Sequence, residues 1–246
     1  SDVNYYVSQN FKMNNNFIIL FKIIWKAIII VWNYKKLMAL RSETMKIGII
    51  GGTFDPIHNA HLYIAYEAKE QLNLDKVIFM PAGIQPLKTD KKITESKDRY
   101  EMVKEAIRNY DSFEVSDYEI NKGGLSFTYE TLEHYNNSKE SKDEELFFIT
   151  GADCLMNIEK WREVEKILSL SNMVVFMRGG TDVERLLAQK KYIEEKYNTS
   201  IIFLALKELE ISSTDIRNRV NEGKKIDFFV PESVKNYIYA KGLYKK

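Results

Sequence analysis

The chain has a single cysteine, Cys154, and only four prolines among its 246 residues. One cysteine excludes an internal disulfide framework and a multi-cysteine zinc site, and it fits a reducing compartment, so we expect a cytoplasmic protein. No stretch is rich in proline, glycine or serine, so the sequence contains no flexible linker between domains. We therefore expect residues 45–246 to form one domain around a single apolar core.

An excess of basic residues is also missing. The formal net charge is +1; residues 1–44 carry +4, and residues 45–246 therefore carry −3. Proteins that bind nucleic acid rely on clustered lysine and arginine to neutralise phosphates, so the composition does not favour such a partner. Any phosphate that this protein binds must be held by a few local groups.

A long uninterrupted apolar run is absent as well. The most apolar stretch, FIILFKIIWKAIIIVW at 17–32, is short for a membrane span, and its two lysines argue against a secretory signal. We expect residues 1–44 to be a leader, or sequence translated from upstream of the true start, with Met45 as the initiator. A basic amphipathic helix on a membrane surface and an arm used in packing or oligomer formation are the alternatives. We expect no membrane contact for 45–246, and homo-oligomer formation stays open.

Short apolar strands alternate with amphipathic helices along the rest of the chain. Strands are predicted at 47–50, 77–80, 113–120, 146–150, 173–177 and 201–204, and the main helices at 60–72, 96–108, 129–135, 161–168, 183–197, 215–220 and 232–239. This alternation is typical of βαβ units, so it predicts an α/β fold: a Rossmann-like open parallel sheet with helices on both faces. Ligands bind such sheets at the carboxyl ends of the strands.

The first chemical motif is MKIGIIGGTFDPIHNAH at 45–61. A buried strand breaks at Gly51 and Gly52, and a helix follows. A glycine turn that leads into a helix N-terminus can bind an anion through backbone N–H groups and the helix dipole. His58 and His61 are three residues apart and share the first helical turn, so we predict that both contact a phosphate. Helix capping or core packing, and a zinc pair, are the alternatives.

The second motif is ISSTDIR at 211–217. Its serines and threonine are typical of a helix N-cap whose free N–H groups can bind an anion, and Arg217 adds a charged donor one turn later. A well-capped surface helix is the alternative. The chain has neither a GxxxxGK(S/T) motif nor a GxGxxG motif, so a P-loop and a dinucleotide-binding turn are disfavoured.

Together these residues resemble a known family. GGTFDPIHNAH is similar to the (T/S)FDPxHxGH signature of nucleotidyltransferases, and ISSTDIR to their ISSTxIR signature. SFTYETL at 126–132, FFITGADCLMNIEKW at 147–161 and FVPESVKNYIYAKGLY at 229–244 narrow the resemblance to the bacterial nicotinate-nucleotide adenylyltransferases. Two positions depart from the family pattern: Ala60 stands where glycine is usual, and Leu87 where histidine is usual.

The resemblance implies an enzyme that transfers AMP from ATP to nicotinate mononucleotide and releases pyrophosphate, with Mg²⁺ bound through ATP and no resident metal. It implies that the catalytic residues are His58, His61 and Arg217. It implies that the ATP phosphates and ribose are bound by Gly52, Thr53, Phe54, Lys88, Asp153, Ser212, Ser213 and Thr214. It implies that nicotinate mononucleotide is bound by Ser126, Phe127, Thr128, Tyr129 and Trp161.

Alternatives remain at two of these positions and for the function. Asp153 also suits a helix cap, and Trp161 also suits a position in the core. The same adenylyl transfer to nicotinamide mononucleotide, or to another phosphorylated acceptor, is the alternative activity. A catalytically silent nucleotide-binding regulator belongs to a different class, but it predicts the loss of a catalytic side chain, and His58, His61 and Arg217 are all present.

Overall fold

The structure, a computed structural model, describes residues 24–30, 44–84, 93–138, 144–177 and 180–245. The chain divides into two units, Ser1–Thr44 and Met45–Lys246. In the first unit, residues 24–30 are helical. No helix among the described residues is long and apolar enough to cross a membrane. The predicted role of residues 1–44 stays a prediction.

The second unit contains a six-stranded parallel sheet in the order β3-β2-β1-β4-β5-β6. Its strands are β1 (Met45–Gly52), β2 (Lys76–Pro81), β3 (Phe113–Val115), β4 (Glu144–Gly151), β5 (Asn172–Phe176) and β6 (Ile201–Leu204). Strand β1 pairs with β2 on one side and with β4 on the other, so the strand order reverses next to β1. The predicted Rossmann-like sheet is confirmed, and its topological switch point lies between β1 and β4, where ligands bind at the carboxyl ends of the strands and the glycines of the first motif end β1.

Helices cover both faces of this sheet. They are α1 (Asn59–Leu72), α2 (Ser96–Ile107), α3 (Tyr118–Lys122), α4 (Thr128–Asn137), α5 (Ala152–Met156), α6 (Val164–Leu170), α7 (Val183–Tyr197), α8 (Ser213–Asn221) and α9 (Glu232–Lys241), with a 3₁₀ turn at Ile158–Lys160. Buried residues of α1, α2, α8 and α9 pack on one face, and those of α4, α5, α6 and α7 pack on the other.

Alternation along the strands explains why the sheet has two apolar faces. In β1, Ile50 belongs to the cluster under α1 and α2, whereas Ile49 belongs to the cluster under α4 and α6. In β4, Phe147 and Phe148 divide between the same two clusters. Successive side chains of a strand point to opposite faces, so a strand that is apolar throughout is buried on both sides.

The prediction of a strand over 113–120 is wrong beyond its third residue. Strand β3 pairs with β2 only from Phe113 to Val115. The Ser116 hydroxyl then accepts a hydrogen bond from the Tyr118 N–H at 3.2 Å, and the chain turns into α3. This local side-chain bond ends the strand, and the turn buries Glu119.

The prediction of a helix over 161–168 is wrong in its first turn. Trp161 is extended, with φ −80° and ψ 152°, and Glu163 is left-handed at φ 57°. The helix therefore begins at Val164, and the chain before it is occupied by α5 and the 3₁₀ turn. The consequence for function is that Trp161 stands on a loop rather than within a helix.

Candidate active site

The turn after β1 is made by a residue other than the glycines. Gly51 and Gly52 are the last residues of β1, and the left-handed conformation falls on Phe54, at φ 49°. Gly52 is needed for a different reason: a Cβ on it would lie 2.9 Å from the Phe54 ring. The absence of a side chain at Gly52 therefore lets the buried Phe54 ring fold back under the strand end, which shapes the loop before His58.

The two histidines form one stacked unit at the start of α1. Their ring centroids are 3.7 Å apart with an interplanar angle of 22°. The backbone N–H of His58, the N-cap residue, donates to Nδ1 of His61 at 3.3 Å. His61 also meets the Phe54 ring edge-on, with centroids 5.0 Å apart. The His61 ring is therefore held on two sides, and its Nδ1 acts as an acceptor.

The structure brings the second motif into contact with the first. The Ser213 hydroxyl donates to the carbonyl oxygen of Pro56 at 2.9 Å, and Nη1 of Arg217 donates to the carbonyl oxygen of Asp55 at 2.7 Å. Nη2 of Arg217 donates to the Thr214 hydroxyl at 3.2 Å. These bonds join residues more than 150 positions apart in the chain, so the N-termini of α1 and α8 lie on one site.

Ser212 caps α8, as its place in the motif predicts. Its hydroxyl oxygen accepts from the backbone N–H of Asp215 at 3.1 Å, and its hydroxyl donates to the Asp215 carboxylate at 2.6 Å. This arrangement fixes the first turn of a nine-residue helix. The remaining N–H groups at that end have no partner within the helix and are available to an anion.

Arg99 is a site residue that sequence reasoning missed. It lies in α2, is only 2% exposed, and donates to backbone carbonyls: Nε to Thr94 at 3.0 Å, Nη1 to Thr53 at 2.7 Å and Nη2 to Ala82 at 2.7 Å. Burial lowers the pKa of Arg99, and the nearby Asp55 carboxylate opposes that shift. The only signal in the sequence was a charged residue on an otherwise apolar helix face.

A second missed contact comes from the C-terminus. The Tyr244 hydroxyl donates to Oδ1 of Asp55 at 2.7 Å, and the Thr94 N–H donates to Oδ2 of the same carboxylate at 3.3 Å. Burial and the Asp55 charge both raise the pKa of Tyr244, so the phenol keeps its proton and remains the donor. The loop of the first motif is thus fixed from α2, α8 and the chain end.

A cavity of about 280 Å³ opens beside this loop, at the ends of β1, β2 and β4. Four of the five residues predicted to bind nicotinate mononucleotide line it: Ser126, Phe127, Thr128 and Trp161. Trp161 packs against Phe148 with ring centroids 6.1 Å apart, so the alternative of a core position is partly met as well. Tyr129 does not line the cavity.

Three charged residues of this cavity were not predicted: Glu119, Lys160 and Arg162. Glu119 is buried, accepts a hydrogen bond from the Thr131 hydroxyl at 2.8 Å, and has its pKa raised by burial. Arg162 lines the cavity next to Trp161, with its guanidinium 5.3 Å from the centroid of the Phe127 ring. The cavity wall therefore carries one buried carboxyl group and two exposed cations, Lys160 and Arg162.

Of the residues predicted to bind ATP, Gly52 also lines the large cavity, at the end of β1. Asp153 is exposed in α5, directly after β4, and lines neither this cavity nor a smaller one of about 30 Å³ that is bounded by His58, Tyr63 and Phe176. Ala60 is buried and also lines the smaller cavity, so the change from glycine is accommodated there. Lys88 and Leu87 lie outside the described residues.

Comparison with known proteins identifies relatives over most of the chain. Residues 49–219 match the model of the family described as cytidylyltransferase-like. A Clostridium beijerinckii protein named probable nicotinate-nucleotide adenylyltransferase is 66% identical over 202 residues, covering 81% of this chain and 99% of the relative. A Clostridium novyi protein of the same name is 52% identical over 200 residues, covering 81% and 99%.

Solved structures have the same fold. A Plasmodium falciparum nicotinic acid mononucleotide adenylyltransferase complexed with NaAD matches with a TM-score of 0.66 at 22% identity, covering 81% of this chain and 97% of that chain. The same enzyme complexed with APC matches with a TM-score of 0.64 at 20% identity, covering 81% and 97%. At these identities the likeness concerns the fold alone.

Proposed function

This chain belongs to the nicotinate-nucleotide adenylyltransferases of the cytidylyltransferase-like family, and we propose that it transfers the adenylyl group of ATP to nicotinate mononucleotide. An oxygen of the acceptor's 5′-phosphate attacks the α-phosphorus, the bond between the α-phosphorus and the bridging oxygen to the β-phosphate breaks, and pyrophosphate leaves. The products are nicotinate adenine dinucleotide and pyrophosphate, as in NAD biosynthesis. No covalent intermediate with the protein is needed.

The observation that carries this proposal is the contact between the two motifs. Arg217 and Ser213 of α8 bind the carbonyls of Asp55 and Pro56, next to the histidine pair. Two helix N-termini on one site suit a polyphosphate, because each presents the positive end of a helix dipole. Catalysis of phosphoryl-type transfer consists mainly of positioning and charge stabilisation, which such groups provide.

His61 suits the role of a neutral donor to the transferring phosphate. Its Nδ1 accepts the His58 N–H, so the proton of the neutral ring lies on Nε2. We propose that this Nε2–H donates to an oxygen of the α-phosphate as negative charge builds there in the transition state. His58 stacks on the ring and fixes its plane.

Arg217 and the first turn of α8 suit the leaving group. A guanidinium has five N–H donors, more than the two bonds to Asp55 and Thr214 use. We propose that Arg217, Ser212, Ser213 and Thr214 bind the β- and γ-phosphates and stabilise pyrophosphate as it leaves. Gly52, Thr53, Phe54, Asp153 and Lys88 stay proposed contacts to the rest of ATP.

Mg²⁺ is proposed to enter with ATP. No group of three or more histidine, cysteine, aspartate or glutamate residues that could hold a metal ion occurs within the described part of the chain. Mg²⁺ usually keeps several waters and is bound through substrate phosphates, so we propose that triphosphate oxygens hold it. When bound, Mg²⁺ would offset charge on the phosphates; the protein groups named above position them.

The cavity lined by Trp161 suits the pyridine end of the acceptor. Its aromatic ring offers a stacking surface, and α4 begins at Thr128, so free N–H groups of that helix lie at the wall. We propose that this end binds the nicotinate carboxylate, with Arg162 nearby as a cation. A site built for a carboxylate leaves an amide mispaired, so the acid is the preferred acceptor.

The test is pyrophosphate release from ATP with Mg²⁺ and each acceptor in turn. We expect kcat/KM for nicotinate mononucleotide to exceed that for nicotinamide mononucleotide by roughly 10²-fold or more. Comparable values would favour the broader acceptor specificity. If pyrophosphate is released only when phosphopantetheine is the acceptor, phosphopantetheine is the substrate. If no acceptor gives release, the silent regulator is favoured. A cytoplasmic location, supported by the single cysteine, stays part of this proposal.

A further inference from the structure

Arg99 lines neither cavity, yet its guanidinium binds backbone atoms at two places: the loop that leads to the histidines and the wall of the large cavity. One of its carbonyl partners, Thr53, lies in the loop that leads to the histidines, and another, Ala82, lines the large cavity. The third, Thr94, precedes α2 itself. These carbonyl oxygens satisfy the hydrogen-bond donors of the buried guanidinium, and each bond fixes the direction of the peptide that accepts it.

The bond to Thr53 determines which way the next N–H points. In a trans peptide the carbonyl and the N–H point in opposite directions, and the peptide between Thr53 and Phe54 is trans. Because Arg99 holds the Thr53 oxygen in the interior at 2.7 Å, the N–H of Phe54 points away from the guanidinium. A carbonyl turned the other way would present a partial negative charge to an incoming phosphate.

The bond to Ala82 has the same effect at the large cavity. Here the structure gives a partner for both the carbonyl and the N–H of the oriented peptide. The Ala82 oxygen accepts from Nη2 of Arg99, and the N–H of the following Gly83 donates to the Ser126 hydroxyl oxygen at 3.0 Å. Glycine at position 83 is needed here, because a Cβ would lie 2.6 Å from the backbone carbonyl oxygen of Glu119. The oriented peptide thus holds a hydroxyl group that lines the large cavity.

We propose that Arg99 is a positioning residue that sets the direction of two peptides at once, presenting the Phe54 N–H to the transferred phosphate and fixing Ser126 in the acceptor cavity. This inference rests on the proposed adenylyl transfer. It assigns to a residue that touches no substrate the task of coupling the phosphate site to the acceptor site. A lysine cannot replace it, because an ammonium lacks the planar fork that reaches three carbonyls in fixed directions.

The first experiment compares Arg99→Lys with the control Tyr237→Phe. The control removes a hydrogen bond of 2.7 Å to Asp98, the neighbour of Arg99 in α2, and leaves the oriented peptides unchanged. Assays run well below both melting temperatures should show kcat of Arg99→Lys reduced by about 10–10²-fold, as for a weakened transition-state donor. KM for nicotinate mononucleotide and KM for ATP should both rise relative to the control, because each substrate loses a group that Arg99 orients.

The second experiment needs no variant of Arg99. In ¹⁵N-labelled wild-type protein, titration with α,β-methylene-ATP should shift the amide resonance of Phe54 strongly, because its N–H meets a phosphate oxygen. A Phe54 amide that does not respond while the analogue binds overturns the proposal, as does an Arg99→Lys enzyme whose kcat and acceptor KM match those of Tyr237→Phe. If wild-type protein itself releases no pyrophosphate from ATP and nicotinate mononucleotide, the proposed function fails instead.

Discussion

At the scale of single residues, the histidine pair shows how neighbours in sequence acquire different environments. His58 is 3% exposed and stacks on His61, whereas His61 is partly exposed and held by a ring edge and a backbone N–H. Spacing alone predicted that both rings lie on one helical turn. It did not predict that one ring supports the other, so the role of direct donor belongs to His61 in our proposal.

Replacing His61 by alanine should leave a folded protein with kcat lowered by roughly 10²–10⁴-fold, because a donor to the transition state is lost. Steady-state pyrophosphate release measures the effect, with circular dichroism as the check on folding. The matched control is His134→Ala, since His134 is an exposed residue of α4. A His61→Ala enzyme with turnover near that of the control would contradict the catalytic assignment.

Glu119 should make stability depend on pH. Burial raises the pKa of this carboxyl group above its ordinary 4.5, so the folded protein holds the proton to a higher pH than the unfolded chain does. Its stabilising contribution is therefore complete below pH 4.5 and is lost as the pH rises through the raised pKa.

Glu119→Gln removes the charge but keeps an acceptor for Thr131. We expect its melting temperature at pH 8 to exceed that of wild type by roughly 2–4 °C, which corresponds to about 1 kcal/mol in a domain of this size. The gain should shrink as the pH is lowered, and thermal melts at several pH values measure it. Glu165→Gln, at an exposed position of α6, is the control; a gain at Glu119 that does not vary with pH would be inconsistent with a buried charge.

At the scale of elements, α8 combines a structural cap with a binding end. Ser212 satisfies the N–H of Asp215, and Ser213 and Arg217 reach across to the first motif. The sequence predicted this helix and its cap because the signals are local. It did not predict which element the capped end faces, since that depends on how β6 and the following segment return to the sheet.

Ser212→Ala should lower the free energy of unfolding by about 1 kcal/mol, the usual effect of losing an N-cap acceptor. KM for ATP should rise in the same variant, because the first turn of α8 is proposed to bind the leaving phosphates. Ser212→Asn, which keeps a capping acceptor, should retain the stability. Urea unfolding and ATP saturation curves measure the two effects, and unchanged values of both in Ser212→Ala would exclude this double role.

At the scale of the whole molecule, the site is assembled from both ends of the second unit. Tyr244 lies 189 residues after Asp55 in the chain and donates to its carboxylate. Every described residue to which we assign a role lies between Gly52 and Tyr244. We therefore predict that residues 45–246 form the catalytic fold; the described residues of the core clusters all lie in that range.

Removal of residues 1–44 should leave kcat/KM for both substrates within about twofold of the full chain, as expected for a domain with its own core. Pyrophosphate assays on the two proteins at equal concentration test this, and light scattering compares their oligomeric states. A collapse of activity on removal would show that residues 1–44 take part in folding or assembly. Binding to anionic vesicles by the full chain alone would support the membrane-surface alternative.

The fold class and most elements could be predicted because strands, helices and caps are encoded by local periodicity. Helix α7 and strand β6 have the predicted bounds, and the sheet is parallel as the βαβ alternation requires. The errors fall where a side chain or a single backbone angle ends a pattern: Ser116 after β3 and Glu163 before α6. Such features have almost no periodic signal.

The sequence by itself determined the two predicted phosphate motifs, the capping serine of the second motif and the family to which they point. Only the tertiary structure decided that Arg99, Glu119 and Tyr244 belong to the site. Their partners are distant in the chain or are backbone atoms, and a carbonyl oxygen carries no residue type that a sequence pattern could register. Chemistry carried by side chains can be read from a motif, whereas the direction of a peptide is set by what packs behind it.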